Sequence, residues 1–210
     1  TTGDDVFERG RDILTRLANL RTALVDPEIS SVRLVSTPDM GAAGDVQRAL
    51  AALNLFDYPV DAVAVNRKLP AEVSDAFFAA VRRQEEETAR YLASSVAPMP
   101  VLVAELTRST PRDIASLAAL AGSLYAGRTP FAVLHRGQAH AFSQENGHHV
   151  LSVALPFVQR EDLGLEQIEE GVAVHLDGRR CVLPLPREIR QREAESWSFE
   201  GQVLKITFGA

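Results

Sequence analysis

The apolar rhythm of this chain changes once along its length, and that change limits the folds open to it. From residue 4 to about residue 127, stretches with helical spacing alternate with short β-type runs. After residue 128 no helix-length periodic stretch remains, and short apolar runs follow one another between turn signals. With 210 residues, the chain has room for one large domain or two small ones.

In the first part, Val6, Ile13, Leu14, Leu17, Leu20 and Leu24 predict a helix over residues 4–25. Asp26-Pro27 closes it, because the residue before a proline avoids the helical region. Residues 31–36 read as a first strand and residues 60–65 as a second, with helical spacing at Val46, Ala49, Leu50 and Leu53 between them. A long polar helix is expected over about 71–95, with Val73, Phe77 and Val81 apolar and Phe77 and Phe78 in the core. Residues 100–104 read as a third strand. The last helix is expected to start with Thr110 as N-cap and Pro111 in the first turn, and to stop at Gly127. Its stripe is Ile114, Leu117, Leu120 and Leu124. Strands joined by helical crossovers lie parallel with helices on their faces, so the class is α/β. Three strands make a thin parallel sheet, which suggests part of a larger one.

In the second part, strands are expected at 150–155, 163–168, 172–176, 181–185 and 203–208. The turn signals are Asn146-Gly147, Glu170-Gly171, Asp177-Gly178 and Glu200-Gly201. Pro156, Pro184 and Pro186 belong at strand ends or edges. This pattern predicts a small antiparallel β-sandwich, with residues 128–147 as a linker or an edge strand.

Composition removes several functions. The net charge is −6 and no Lys/Arg cluster is visible, so nucleic acid is not an expected partner. No apolar run approaches the roughly 20 residues of a transmembrane helix, and the first residues lack the pattern of a signal peptide. Cys181 is the only cysteine, which leaves no intrachain disulfide or CxxC zinc knuckle; a reducing cytoplasm is the expected location. The two lysines follow Arg67 and Leu204, so neither stands in the Gly-Lys-Ser/Thr of a Walker A loop.

Residues Val63-Ala64-Val65-Asn66-Arg67-Lys68-Leu69-Pro70 carry a resemblance. With Ser36-Thr37-Pro38-Asp39, Tyr58-Pro59-Val60-Asp61, Pro100-Val101-Leu102 and Leu124-Tyr125-Ala126-Gly127, they follow the order and spacing of another set of motifs. That set is the late half of the ArsA-type branch of the P-loop NTPases, the ATPases that drive arsenite pumps or deliver tail-anchored membrane proteins. The match covers residues about 10–130. The tail is similar to the small heat-shock (α-crystallin-like) sandwich that some bacterial members carry, at residues 151–157, Arg160-Glu161-Asp162-Leu163, Leu183-Pro184-Leu185-Pro186 and residues 201–206.

The resemblance implies a C-terminal half of an ArsA-like P-loop ATPase domain at 1–130, its Walker A loop absent, and an α-crystallin-like sandwich at 131–210. The family's P-loop would then lie ahead of residue 1, in a longer ATPase; a short protein without catalysis is the alternative. ATP and Mg²⁺ are the expected cofactors of a complete member. A client or a membrane-protein partner is implied, and a homodimer or a paralogous ATPase subunit stays open. This chain alone is expected to be inactive, with no catalytic residue of its own. A different class of reading is a scaffold or chaperone-like protein acting through the sandwich; a third is a degenerate subunit of a paired ATPase.

Asn66 follows a buried strand at its carboxyl end, where open α/β sheets bind ligands, and its amide suits an adenine edge. The resemblance gives Asn66 the base-reading role; the plainer reading is a turn before Pro70. Glu105 and Leu106 fall in the family's adenine-contacting loop. Family members often have Pro where Glu105 stands and Gly where Asp113 stands, and a carboxylate beside a base is costly unless solvated or paired. Gly41-Ala42-Ala43-Gly44 reads as a helix-entry turn rather than an anion cradle, since Asp45 opposes an anion. No metal site is expected: His148 and His149 point to opposite faces of a strand, and the family's zinc-holding Cys-x-x-Cys is missing from the stretch around residues 75–79. Cys181 reads as a small buried hydrophobe, and Trp197 and Phe199 as neighbours on one sandwich face.

Overall fold

The computed structural model describes residues 2–145, 147–169, 171–183, 185–186, 189–190 and 192–209, with side chains from residue 7 onward. Asn146, Glu170 and Pro184, named above in turn or edge roles, lie outside the described residues, as does the Val6 side chain.

Helix and strand alternate as α1 (Thr2–Val25), β1 (Val32–Ser36), α2 (Met40–Leu55), β2 (Val60–Lys68), α3 (Ala79–Ser95), β3 (Val101–Glu105) and α4 (Ile114–Tyr125). The three strands form a parallel sheet in the order β1-β2-β3. The central strand is buried from Val60 through Val65, which is why it reads as an unbroken apolar run apart from Asp61. From Ala62 onward, past a register shift at Asp61, its side chains alternate between two clusters. Val60, Val63 and Val65 pack with Val46 and Leu50 of α2 and Leu92 of α3. Ala62 and Ala64 face the other way, against Leu102, Leu124 and Tyr125.

Among the described residues seven antiparallel strands follow. β4 (His140–Glu145), β5 (His148–Ala154), β9 (Ala194–Glu200) and β10 (Val203–Phe208) make one sheet in the order β4-β5-β10-β9. β6 (Leu163–Ile168), β7 (Gly171–Leu176) and β8 (Arg179–Val182) make the other. Asp177-Gly178 and Gly201-Gln202 each place two successive residues at positive φ, the conformation of a two-residue hairpin turn. Trp197 and Phe199 lie two apart on β9 and pack against one core. Cys181 is in that core, and burial pushes its thiol up to about 11, which keeps it a protonated, inert hydrophobe.

Several elements depart from the sequence expectation. The helix expected over 71–95 begins only at Ala79, after a 3-10 turn at Ala76–Phe78. Asp75 accepts a hydrogen bond from the Phe77 N–H at 2.7 Å, a local turn that competes with helix. Phe77 and Phe78 are therefore not core residues: Phe77 is 79% exposed, and their rings meet edge to face on the surface. The last helix is capped by Asp113 rather than Thr110. Asp113 accepts from the Ser116 N–H at 2.7 Å while Ser116 Oγ accepts from the Asp113 N–H, a reciprocal box that Thr110-Pro111 cannot match. Gly41 to Gly44 lie inside the first turns of α2, whose N-terminus Asp39 caps through the Ala42 N–H. The apolar stripe of α1 and the first half of that of α4 face water, with Leu14, Ile114 and Leu117 exposed, while Leu124 packs on the sheet. Within the stretch 128–147, expected to be a linker or an edge strand, residues 140–145 form the edge strand β4, whereas β9 was not among the expected strands.

Two features join the parts. Val46 and Leu50 bury one side of α2 under the parallel sheet, while Ala51 and Leu55 belong to the sandwich core. The sandwich also satisfies the end of that helix: the His140 Nε2–H donates to the Asn54 carbonyl at 2.9 Å, and the Asn54 amide donates to Ala154 O at 3.0 Å. The second feature is a buried ion pair. Arg33 donates to both carboxylate oxygens of Asp61 at 3.0 Å. Its remaining donors reach the Tyr125 hydroxyl and the carbonyls of Pro130 and Ala132. Asp61, fully buried, also accepts from the Leu134 N–H at 3.1 Å. The linker after α4 is thus strapped to the amino end of the sheet.

Candidate functional site

At the carboxyl end of β2 the strand does not stop at Val65, as its apolar run suggests, but continues through a bulge. Val65 pairs with Val103 and Lys68 with Glu105, so two residues, Asn66 and Arg67, stand opposite Ala104 alone. Arg67 takes φ +66, a left-handed conformation that lets the strand bend and re-aims its neighbours. The strand beyond the bulge is held from α3. Glu85 accepts from the Leu69 N–H at 2.7 Å, and Glu86 pairs with Lys68 at 3.0 Å. On the other side, the Leu106 N–H donates to Lys68 O at 2.8 Å, which ties the end of β3 to the same turn.

Asn66 is half-buried and lines a cavity of about 390 Å³ between the ends of β1 and β2 and the start of α2. Ser36, Thr37, Ala42 and Asp45 share it. Thr37 donates to Asp39 at 2.6 Å; that bond and the Ala42 N–H hold the Asp39 carboxyl below the usual range. Glu105 and Leu106 lie one strand over, at the exposed end of β3, and are not among the residues around this cavity. The structure thus brings the backbone of Leu106 to the Asn66 turn and leaves the Glu105 side chain in solvent. Ser36, Thr37 and Asp45 were not singled out as site residues from the sequence; the only signal was Thr37-Pro38-Asp39 ahead of a helix.

The chemistry of this end of the sheet suits part of a nucleotide. An amide on a bulge beside small polar groups can pair with the edge of a base. The cavity has no Lys or Arg in its lining and carries Asp45, so these residues do not fit a triphosphate or its Mg²⁺. Among the described residues no three His, Cys, Asp or Glu side chains gather as a metal site.

Comparison with known proteins agrees with this architecture. The family model for the anion-transporting ATPases matches residues 1–126, and that for the HSP20-like domain found in ArsA matches residues 146–208. The chain belongs to the anion-transporting ATPase family. It is 26% identical over 207 residues to a putative arsenical pump-driving ATPase 1 of Aquifex aeolicus, a match covering 97% of this chain and 52% of that protein. It is 22% identical over 205 residues to a putative arsenical pump-driving ATPase of Chlorobaculum tepidum, and equally so to one of Prosthecochloris vibrioformis, each match covering 98% of this chain and 51% of the relative. The chain spans about half the length of these curated relatives. Among the described residues no helix is long and apolar enough to cross a membrane.

Proposed function

We propose that this chain is the base-binding side of an ArsA-like ATPase, acting in the cytoplasm and coupling nucleotide state to a client or a membrane partner. Asn66 reads the base edge, and the Glu105-Leu106 turn borders the ring. In this reading residues 1–130 are the ATPase part and residues 131–210 the sandwich. The observation that carries it is the bulge that sets Asn66 at the carboxyl end of the central strand, beside a cavity. ATP would be gripped at its triphosphate, with Mg²⁺, by groups outside these 210 residues; bound there, it supplies the phosphoryl chemistry of the family. This chain's own residues orient the base and hold no proton or phosphate in flight.

The test is a titration of the pure chain with adenosine and with ATP, followed by amide NMR. Both ligands are expected to bind weakly and alike, with shifts at residues 36–37, 66–69 and 105–106, and Asn66→Ala is expected to abolish them. Phosphate release by the pure chain is expected to be absent; turnover would overturn the reading.

The HSP20-like match supports a second reading, a scaffold or holdase acting through the sandwich. Suppression of client aggregation by the full chain, unaffected by Asn66→Ala, would favour it; no suppression at stoichiometric excess would remove it.

A further inference from the structure

The opposite end of the parallel sheet holds a second cavity, of about 440 Å³. It opens where α2 ends, at the amino ends of β2 and β3, and the linker and the β9–β10 turn complete its wall. Leu50, Val96 and Met99 give it an apolar side, and Tyr58 and Gln138 stand among its polar groups. Of all its lining residues only Asp57 carries a formal charge.

Asp57 is an unusual residue to find there. Its backbone is left-handed, with φ +63, directly after the C-terminus of α2. Its carboxyl is half-buried, and burial raises its pKa. The groups that face it are His140 and Arg21. Neither makes an ion pair with it among the described residues. His140 cannot supply the charge. Its Nε2–H is committed to the Asn54 carbonyl, which only accepts, so the ring is the Nε2–H tautomer with a bare Nδ1. Only 8% of His140 is exposed, its Nδ1 has no hydrogen-bond partner, and burial holds the ring neutral by lowering its pKa. A cavity of ligand size thus presents one carboxylate and mixed donor and acceptor groups, with no Lys or Arg among its lining residues; Arg21 reaches Asp57 only through space.

We propose that this junction cavity binds a small organic cation, a primary ammonium on an apolar body, with Asp57 as its counter-ion. The ammonium donates to the carboxylate and gives it an ion-pair partner, which it has from no side chain among the described residues. The Tyr58 ring supplies a π-face for the cation, and the body lies on Leu50, Val96 and Met99. An anion is repelled by Asp57. A calcium ion requires about six to eight oxygen ligands, which one carboxylate does not provide. The site is independent of the nucleotide reading, because Asn66 stands at the other end of β2.

The experiment is a ligand-observed NMR titration of the full chain at neutral pH with benzylammonium and, in parallel, with benzyl alcohol, which has the same body without the charge. Benzylammonium is expected to saturate at millimolar concentration, to bind about tenfold more tightly than the alcohol, and to move the His140 ring signals. Asp57→Asn keeps the shape and a residue tolerant of left-handed φ, and is expected to bring the two affinities together. Equal binding of the two probes by the unmodified chain would overturn the proposal whether or not the variant folds. So would an absence of saturation by benzylammonium, or selectivity that survives Asp57→Asn.

Discussion

The sandwich and the parallel sheet handle the same kind of apolar pattern in different ways. In the sandwich, inward residues of both sheets meet one another: Leu151, Val153, Val174, Leu204, Ile206 and Phe208 are all but inaccessible to water. Among the described residues of the first 127, the central strand, Leu102 and Ala104 of β3 and the inner sides of α2 and α3 come close to that state. Leu14 and Leu17 of α1, Ile114 of α4 and Val35 of β1 are all more than half exposed. A periodic stripe, then, is a statement of capacity to be buried; burial needs a facing surface. The sandwich finds that surface within itself and in α2. Most of the α1 stripe and the N-terminal half of the α4 stripe stay exposed, while Leu124 at the end of α4 packs on the parallel sheet.

The two parts also rely on different forces, and the largest predicted effect tests that. On the sheet side, Asp61 has no exposure and holds Arg33, while the pair fastens the linker. Asp61→Ala leaves the partly buried Arg33 guanidinium without its counter-charge and is expected to cost up to about 3–5 kcal/mol in urea unfolding. The double variant Arg33→Met/Asp61→Leu is expected to recover most of that loss, because an apolar pair also avoids the unpaired charge. A small loss in Asp61→Ala would mean that apolar packing alone holds the sheet side as it holds the sandwich.

Next in size is Leu55→Ala, expected to cost about 2–5 kcal/mol because Leu55 is 3% exposed in a packed core. Its value lies in where the loss registers. Leu55 is on α2 yet packs in the sandwich core, so fluorescence of Trp197, the sole tryptophan, and far-UV helix signal are expected to shift together. Two separate transitions would show that the modules unfold apart and that α2 is no shared element.

These two sites show what the sequence could and could not disclose. The helix–strand alternation and the Asp177-Gly178 turn are local, and both are written in residue spacing and turn chemistry. The double role of α2 is not: Val46 and Leu50 on one side and Ala51 and Leu55 on the other blur into one amphipathic stretch. Nor is the Arg33–Asp61 pair, whose members are 28 residues apart and individually ordinary. At the candidate site, Asn66 was legible from its place after a buried strand, whereas the bulge was not, since Arg67 is no glycine. Phe77 and Phe78 mislead for the opposite reason: their apolarity suggests a core, but the Asp75 turn decides where the helix begins.

A smaller effect concerns the junction and is read through pH. Burial lowers the pKa of His140 below its ordinary 6.5, with Asp57 partly opposing the shift. The unfolded chain therefore binds a proton that the folded one refuses, so stability is expected to fall as pH drops below about 6.5. Asp57, whose folded pKa is raised, works in the other direction at lower pH, where folding favours its protonation. Chemical unfolding at pH 7.5 and 5.5 checks this. His140→Gln should flatten the first trend, while a steep dependence surviving the substitution would assign it to other groups.

The smallest expected effect bears most directly on the opening contrast. Leu17→Gln replaces an exposed apolar residue of α1 by a polar one of good helix propensity. With no packed neighbour to lose, the change in stability should stay within about 0.5 kcal/mol, while the same substitution at buried Leu204 removes a core side chain and should cost several-fold more. Urea midpoints of the two variants measure the difference in one experiment. A large loss at Leu17, carried by a concentration-dependent midpoint in the parent chain, would mean that the stripe is covered by another copy in solution. The two regions would then differ only in whether their apolar partner is internal or external, since the same physics of burial would hold both.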